Sequence, residues 1–219
     1  MTVDSVTSTP IGANIELWLS RAAMLQFVSL ALQTPTPEIL AEMRDLCASL
    51  PSALAESARV VLEWPADAWE PEFFSVLGPA GCAVCESSYE RAAQASRGPL
   101  LAKVAGFYEA FGYTSDRLKE VPDHAAVEFG FLSFLAMKVA FATFESKPEK
   151  ASVATDAYAD FHRQHIGAWF PDCVAAVQAT GSEHYGVIGT WAGEALRLAG
   201  VSNAKSWPHR TIPKCTSIT

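Results

Sequence analysis

The stretch VPDHAAVEFGFLSFLAMKVAFATF, residues 121–144, sets a proline, an acid and a histidine directly in front of one of the most apolar runs in the chain. From Ala125 to Phe144 the run has the length of a membrane span. Glu128 and Lys138 lie inside it, however, and each would be costly at mid-bilayer. It therefore reads as a buried helix of a folded domain, without stable membrane insertion. Asp123 is placed to cap that helix, its carboxylate accepting from the backbone N–H of Ala126 or Val127 and complementing the helix dipole, worth about 1 kcal/mol. Pro122 stiffens the approach. Capping accounts for Asp123 but not for His124, nor for Glu128 one turn later on the same face. The full arrangement describes a polar cluster at one end of a hydrophobic wall.

Outward from this stretch almost every segment reads as helix. Residues 14–33 carry Leu17, Trp18, Met24, Leu25, Val28 and Leu32 close to one helical face. Thr36-Pro37-Glu38 is a start signal: a capping hydroxyl, proline at the first helical position and an acid near the positive helix end. That helix should run to about Ser49, before Pro51, and a third from Ser52 to Glu63. Residues 64–85, with Pro65, Pro71, Gly78, Pro79 and Gly81, break into turns with at most one brief helix. A helix over 86–95 and another from Pro99 to Phe111, ended by Gly112, come next. Pro148 opens a helix expected to be interrupted at Pro171, and the last spans 182–199. No segment alternates in the β manner. The expected fold is all-α: a single-domain helical bundle built around the apolar helix of about 123–145. A flexible N-terminus (1–13) and a polar C-terminal tail (201–219) flank the all-helical domain of 14–200.

Half the residues are hydrophobic and 18% are charged, which suits a compact core. With 24 acidic against 16 basic residues the net charge is −8, which argues against nucleic-acid binding and favours a basic partner. Five cysteines, an odd number without a dense framework, fit reduced thiols. The N-terminus lacks the basic and apolar regions of an export signal, so a cytoplasmic location is expected.

Cys82-Ala-Val-Cys85 has the spacing of half a zinc site or of a redox pair. The nearest pair of further ligands, His162 and His165, lies some 75 residues on. His162 and His165 would share a face if their segment is one helix, as would His124 and Glu128. An all-helical metal-dependent hydrolase using His124, Glu128, His162 and His165 is one alternative; a redox-sensing adaptor built on Cys82 and Cys85 is another. No hydrolase, zincin or phosphate-loop signature is present, so no catalytic residue, metal ligand or cofactor is assigned. Gly186, Gly189 and Gly193 fall within a helix, where they permit close packing.

Four elements in order resemble the TorD/DmsD/NarJ family of redox-enzyme maturation chaperones, which serve molybdenum oxidoreductases. CAVCESSY (82–89) is similar to its C-P-P-Y-E-S-x-Y turn, and FYEAFG (107–112) to its F-Y-x-x-F-G element. PDHAAVEFGFL (122–132) resembles the P-D-H-x-x-x-E-L-x-F-L signature, and HIGAWFP (165–171) the later H-x-x-x-W-x-P. Val84, Cys85 and Phe129 depart from the pattern. If Cys85 fills a tyrosine position, the paired cysteines are an accident of substitution. The resemblance implies a cytoplasmic, non-catalytic chaperone. It would bind the twin-arginine leader, the apo catalytic subunit of a molybdopterin oxidoreductase, or both. It would assist molybdenum cofactor insertion and delay export until maturation is complete. Asp123 and His124 are the central candidates for client binding, with Pro122, Glu86, Tyr89, Tyr108, Glu128, His165 and Trp169 secondary. Carboxylates at Asp123 and Glu128 suit guanidinium groups, and Phe129, Phe131 or Leu132 could line a groove for the apolar part of a leader. Within the family, monomers and swapped dimers both occur. The cysteine-containing turn leans towards the subgroup serving exported dimethyl sulfide, ethylbenzene, chlorate or selenate oxidoreductases.

Overall fold

The structure is a computed structural model, and it describes residues 11–89, 93–115 and 118–200. The expectations for residues 1–10 and for the 201–219 tail lie outside the described residues. Among the described residues there are nine α-helices and no strand. They are α1 (Ile11–Ala31), α2 (Pro37–Leu46), α3 (Ser52–Leu62), α4 (Ala66–Val76), α5 (Ala93–Phe111), α6 (Ala125–Phe144), α7 (Pro148–Gln164), α8 (Ile166–Ala179) and α9 (Glu183–Ala199). Short 3₁₀ turns occupy Cys47–Ser49 and Glu86–Ser88.

The apolar run forms α6, and α1, α7 and α8 pack directly against it. Every side chain from Ala125 to Ser133 is buried, as are Leu135, Ala136, Val139, Ala140 and Ala142. Burying each of Phe129, Phe131, Leu132 and Leu135 stabilises the fold by roughly 1.5–3 kcal/mol. α1 lies antiparallel along α6. Ser29 Oγ donates to the Ala126 carbonyl at 2.7 Å and Ser133 Oγ to the Ala22 carbonyl at 2.9 Å. Two hydroxyls that would be costly if unpaired thus pin the helices in register. α7 packs on the other side of α6, and α9 closes the bundle against α1, α3, α4 and α8.

Several boundaries follow their sequence signals. Thr36 accepts from the Ile39 N–H, with Pro37 at the first position of α2. Ser182 caps α9 by accepting from the Tyr185 N–H. A Cβ at Gly189 would meet Val174 and Val177 of α8 at 3.6–3.9 Å and one at Gly193 would meet Val174 at 3.9 Å, while Gly186 has open space beside it.

Others differ. α1 begins at Ile11, inside the N-terminal segment expected to be flexible. α4 is an eleven-residue helix that runs through Pro71, where turns and at most one brief helix were expected. Its face of Trp69, Phe73 and Val76 is buried, and Pro71 looks outward where water can satisfy the carbonyl left without a donor. In the same way α5 is one helix through Pro99, whose neighbours Arg97 and Gly98 are exposed. Residues 86–88 form a single 3₁₀ turn, not the start of a helix.

The break expected at Pro171 falls instead at His165, which ends α7 and begins α8 with φ −117° and ψ −109°. Pro171 sits inside α8. Gly167 makes the joint possible, because a Cβ there would lie 2.4 Å from the His162 carbonyl oxygen. Backbone cannot yield as a flexible side chain would. Gly167→Ala is expected to lower stability by about 1–3 kcal/mol, read as a shift of the urea midpoint at unchanged slope.

Candidate functional site

The loop Cys82–Tyr89 runs beside the entry to α6. The Ala125 N–H donates to the Val84 carbonyl at 2.8 Å and the Glu86 N–H to the Asp123 carbonyl at 2.9 Å, an antiparallel bridge between Cys85 and His124. Asp123 does not cap α6. Its Oδ2 accepts from the Ser87 N–H at 3.0 Å, so it caps the 3₁₀ turn across the chain. The α6 N-cap is His124, whose Nδ1 accepts from the Ala126 N–H at 3.1 Å. That role needs an unprotonated Nδ1. Burial holds the His124 pKa below the usual imidazole value, with the Glu120 and Asp123 carboxylates opposing. The sequence expectation thus had the cap one residue early. The backbone bridge to residues 84–86 draws Asp123 out of reach of its own helix.

One turn into α6, Glu128 Oε2 accepts from Trp169 Nε1–H at 3.1 Å. Glu86 reaches the same place from the loop, and its carboxylate meets His165 Nδ1 at 2.9 and 3.2 Å. Burial pushes the Glu128 pKa well above 4.5, and the charge of Glu86 adds to the shift. Two adjacent carboxylates cannot both stay ionised in such a place. The raised value favours a neutral Glu128, and with Glu86 it completes a cluster of two side-by-side pairs, Trp169–Glu128 and Glu86–His165. It ties α6 to the loop and to the α7–α8 joint. Asp123 Oδ1, Glu128 Oε1 and His165 Nε2 are buried with no hydrogen-bond partner among the described residues.

Aromatic side chains close the cluster. Tyr108 OH donates to the Pro122 carbonyl at 2.8 Å, and its ring lies 4.7 Å from Phe131. Tyr89 OH donates to the Ala83 carbonyl at 2.7 Å while its ring stacks on Trp169 at 5.2 Å. Phe107 sets its ring edge-on to His165 at 5.6 Å. The structure therefore brings all nine candidates, Pro122, Asp123, His124, Glu128, Glu86, Tyr89, Tyr108, His165 and Trp169, into one node. Asp123, Glu128 and His165 are wholly buried, whereas Pro122 and Tyr89 reach the surface. Phe129, Phe131 and Leu132 are also fully buried and line the core, not a groove. Ser87 and Phe107 escaped individual notice, although both fall inside the quoted CAVCESSY and FYEAFG elements.

The metal-hydrolase constellation is not assembled. His162 turns to α9, with Nε2 at 3.2 Å from the Leu196 carbonyl oxygen, and shares no face with His165. Among the described residues no group of three or more His, Cys, Asp or Glu is placed to hold a metal ion. Burial, then the Asp123 charge, pushes the Cys85 thiol up to about 12. Burial does the same to Cys173, whose Sγ–H donates to the Ala83 carbonyl at 3.5 Å. Thiols so poorly ionised are weak nucleophiles and weak metal ligands.

Glu128 titrates later in the folded protein than in the unfolded chain, where a carboxyl ionises near 4.5. The folded state then holds more protons above that pH, so stability falls as pH rises from about 4.5 towards the raised value. Glu128→Gln keeps an acceptor for Trp169 and offers Glu86 an N–H, but does not titrate. It is expected to flatten that decline in urea unfolding compared between about pH 5 and about pH 8. Glu128→Ala, which orphans the buried Trp169 N–H, should cost about 1–3 kcal/mol.

The fold and site together define an all-α bundle whose buried polar residues fasten a loop to the entry of its central helix. The chain belongs to the nitrate reductase delta subunit family, whose model matches residues 32–175. Members of that family are chaperones and not enzymes, which sets aside the hydrolase reading. The chain is similar to the chlorate reductase assembly chaperone protein of Ideonella dechloratans, 29% identical over 114 residues, 51% of this chain and 58% of that protein. The aligned part thus spans less than two thirds of that relative. No solved structure matches the chain.

Proposed function

We propose that this protein is an assembly chaperone for the catalytic subunit of a molybdenum oxidoreductase, with a chlorate reductase-type enzyme as the first client to test. It holds the apo subunit in the cytoplasm by its twin-arginine leader, its folded body or both. It keeps the subunit open for molybdenum cofactor insertion and delays export until insertion is complete. The observation that carries this reading is the family match over residues 32–175, which contains every member of the polar node. In this reading Asp123 and His124 are the central residues. They present the rim formed by Pro122, Tyr89 and the edge of Glu86, and Glu128, Tyr108, His165 and Trp169 hold that rim from behind. A leader guanidinium would meet carboxylate at Glu86 first, and would reach Asp123 and Glu128 only where the Cys82–Tyr89 loop moves off α6.

The test is retention of the catalytic subunit on the tagged protein in its native cell, with molybdenum content of the client as the second readout. Asp123→Ala and His124→Ala, each shown by circular dichroism to be folded, are expected to lower both at least tenfold. Full retention and full molybdenum loading in both variants would overturn the site assignment. Retention of no molybdoenzyme subunit by the unmodified protein would overturn the function.

A further inference from the structure

The loop from Ala83 to Tyr89 is fastened to the bundle almost wholly by polar contacts. None of its side chains is a buried hydrophobic, and Val84 and Tyr89 are only partly covered. The Val84 carbonyl and the Glu86 N–H bond to the entry of α6, the Ser87 N–H bonds to Asp123, and the Glu86 carboxylate meets His165. On α8, Trp169 stacks on Tyr89 and Cys173 Sγ–H donates to the Ala83 carbonyl. The turn before the loop is held differently. Cys82 is buried, its N–H donates to the Val76 carbonyl at 2.7 Å, and the Gly81 N–H donates to the Gly78 carbonyl at 2.8 Å. A Cβ on Gly78 or Gly81 would run into the backbone of α4. That turn is welded to α4, so any motion of the loop starts after Cys82.

The closed position carries a cost. The three buried atoms without partners, Asp123 Oδ1, Glu128 Oε1 and His165 Nε2, belong to side chains that the loop touches or stands beside. Asp123 meets it through Ser87, His165 through Glu86, and Glu128 lies next to Glu86. A buried polar atom without a partner has lost its water and gained nothing in return. Lifting the loop returns water to Glu86, Asp123 and Glu128 and leaves the packing of α1, α7 and α8 on α6 intact. A segment held by few apolar contacts and opposed by unsatisfied groups belongs to the low-stability end of a fold.

We propose that residues 83–89 form a gate, which opens from α6 and from the α7–α8 joint as a unit while the helices stay packed. Closed, it covers Asp123 and Glu128; open, it admits solvent and ligand to both. Opening is linked to one proton. Around Glu128 stand Glu86 and Cys85 from the loop, Asp123 from the entry of α6 and Tyr108 from α5. His165 lies across Glu86, and α8 offers the Trp169 N–H. None of these is a lysine or arginine, and burial keeps Glu128 protonated well above the ordinary carboxylate range. In water it ionises near 4.5. The closed gate therefore holds the extra proton, and rising pH favours the open one. That the gate guards a client site rests on the chaperone reading; its opening and the linked proton do not.

Cys173 reports the opening. Its thiol lies against Ala83, and burial pushes it up to about 12, so it is unreactive behind a closed gate. The probe is iodoacetamide on the full chain, with the modified cysteine located by peptide mass spectrometry. Dividing each rate by that of the urea-unfolded chain at the same pH removes the titration of the thiol itself. From about pH 6 to about pH 7 the corrected Cys173 rate is expected to rise severalfold, up to about tenfold for one proton. Its dependence on low urea should be much shallower than that of global unfolding. Glu128→Gln, shown by circular dichroism to be folded, is expected to make the corrected rate independent of pH. A urea slope equal to that of global unfolding, or no labelling short of unfolding, would overturn the gate. A corrected rate that stays flat with pH in the unmodified chain, or rises as steeply in Glu128→Gln, would overturn the proton linkage. The assay needs no client, so its failure leaves the tests of Asp123 and His124 standing.

Discussion

His165→Ala is expected to lower the unfolding free energy by about 3–5 kcal/mol, because it strips a buried carboxylate of its partner. Glu86 would be left beside Glu128 without its 2.9 Å contact to the imidazole. The lost imidazole also leaves a cavity against Phe107 and Phe161, whose ring centroids lie 5.6 and 4.8 Å from it. Urea unfolding measures the loss as a lower midpoint. Adding Glu86→Gln to His165→Ala should recover part of it, since the amide carries no charge to strand. Strict additivity of the two changes would show that Glu86 and His165 do not act as a unit.

Phe131→Ala should cost about as much, roughly 3–5 kcal/mol, for a different reason. Phe131 is fully buried and touches Tyr108, Phe161 and Tyr113 at centroid distances of 4.7, 4.8 and 5.4 Å. Those rings come from α5, from α7 and from the loop after α5, so truncation opens a void that no single helix can close. Phe141→Ala, ten residues along the same helix but 60% exposed, should stay within about 0.5 kcal/mol. The contrast separates core packing from surface exposure: a large effect at Phe141 would mean that its ring is covered in solution.

Much of the fold is legible locally. Thr36-Pro37 marks a helix start by chemistry that acts within three residues, and the structure keeps it. The apolar run of α6 needs no partner to be recognised as core. Proline signals read less well. Pro71, Pro99 and Pro171 all lie inside helices, because one missing donor on an outer face costs less than burial of Trp69, Phe73 or Phe170 returns. The true break at His165 carries no proline. It comes from the pairing of that imidazole with Glu86, 79 residues earlier.

The candidate residues show the same division. Residue types and spacing singled out Asp123, His124 and Glu128 as a polar opening to an apolar wall, and the ordered CAVCESSY, FYEAFG and HIGAWFP elements supplied their companions. Sequence by itself determined the helical class, the central helix and the membership of the node, because periodicity and capping are local and the four elements are read in order. Only the tertiary structure decided what each member does. It moved the cap from Asp123 to His124, turned Glu128 towards Trp169 and buried the carboxylates that the spacing offered to a ligand. The reason is range. Hydrogen bonds between residues 36 to 79 apart and the loss of water around them depend on which surfaces meet, and no local pattern in this chain records that.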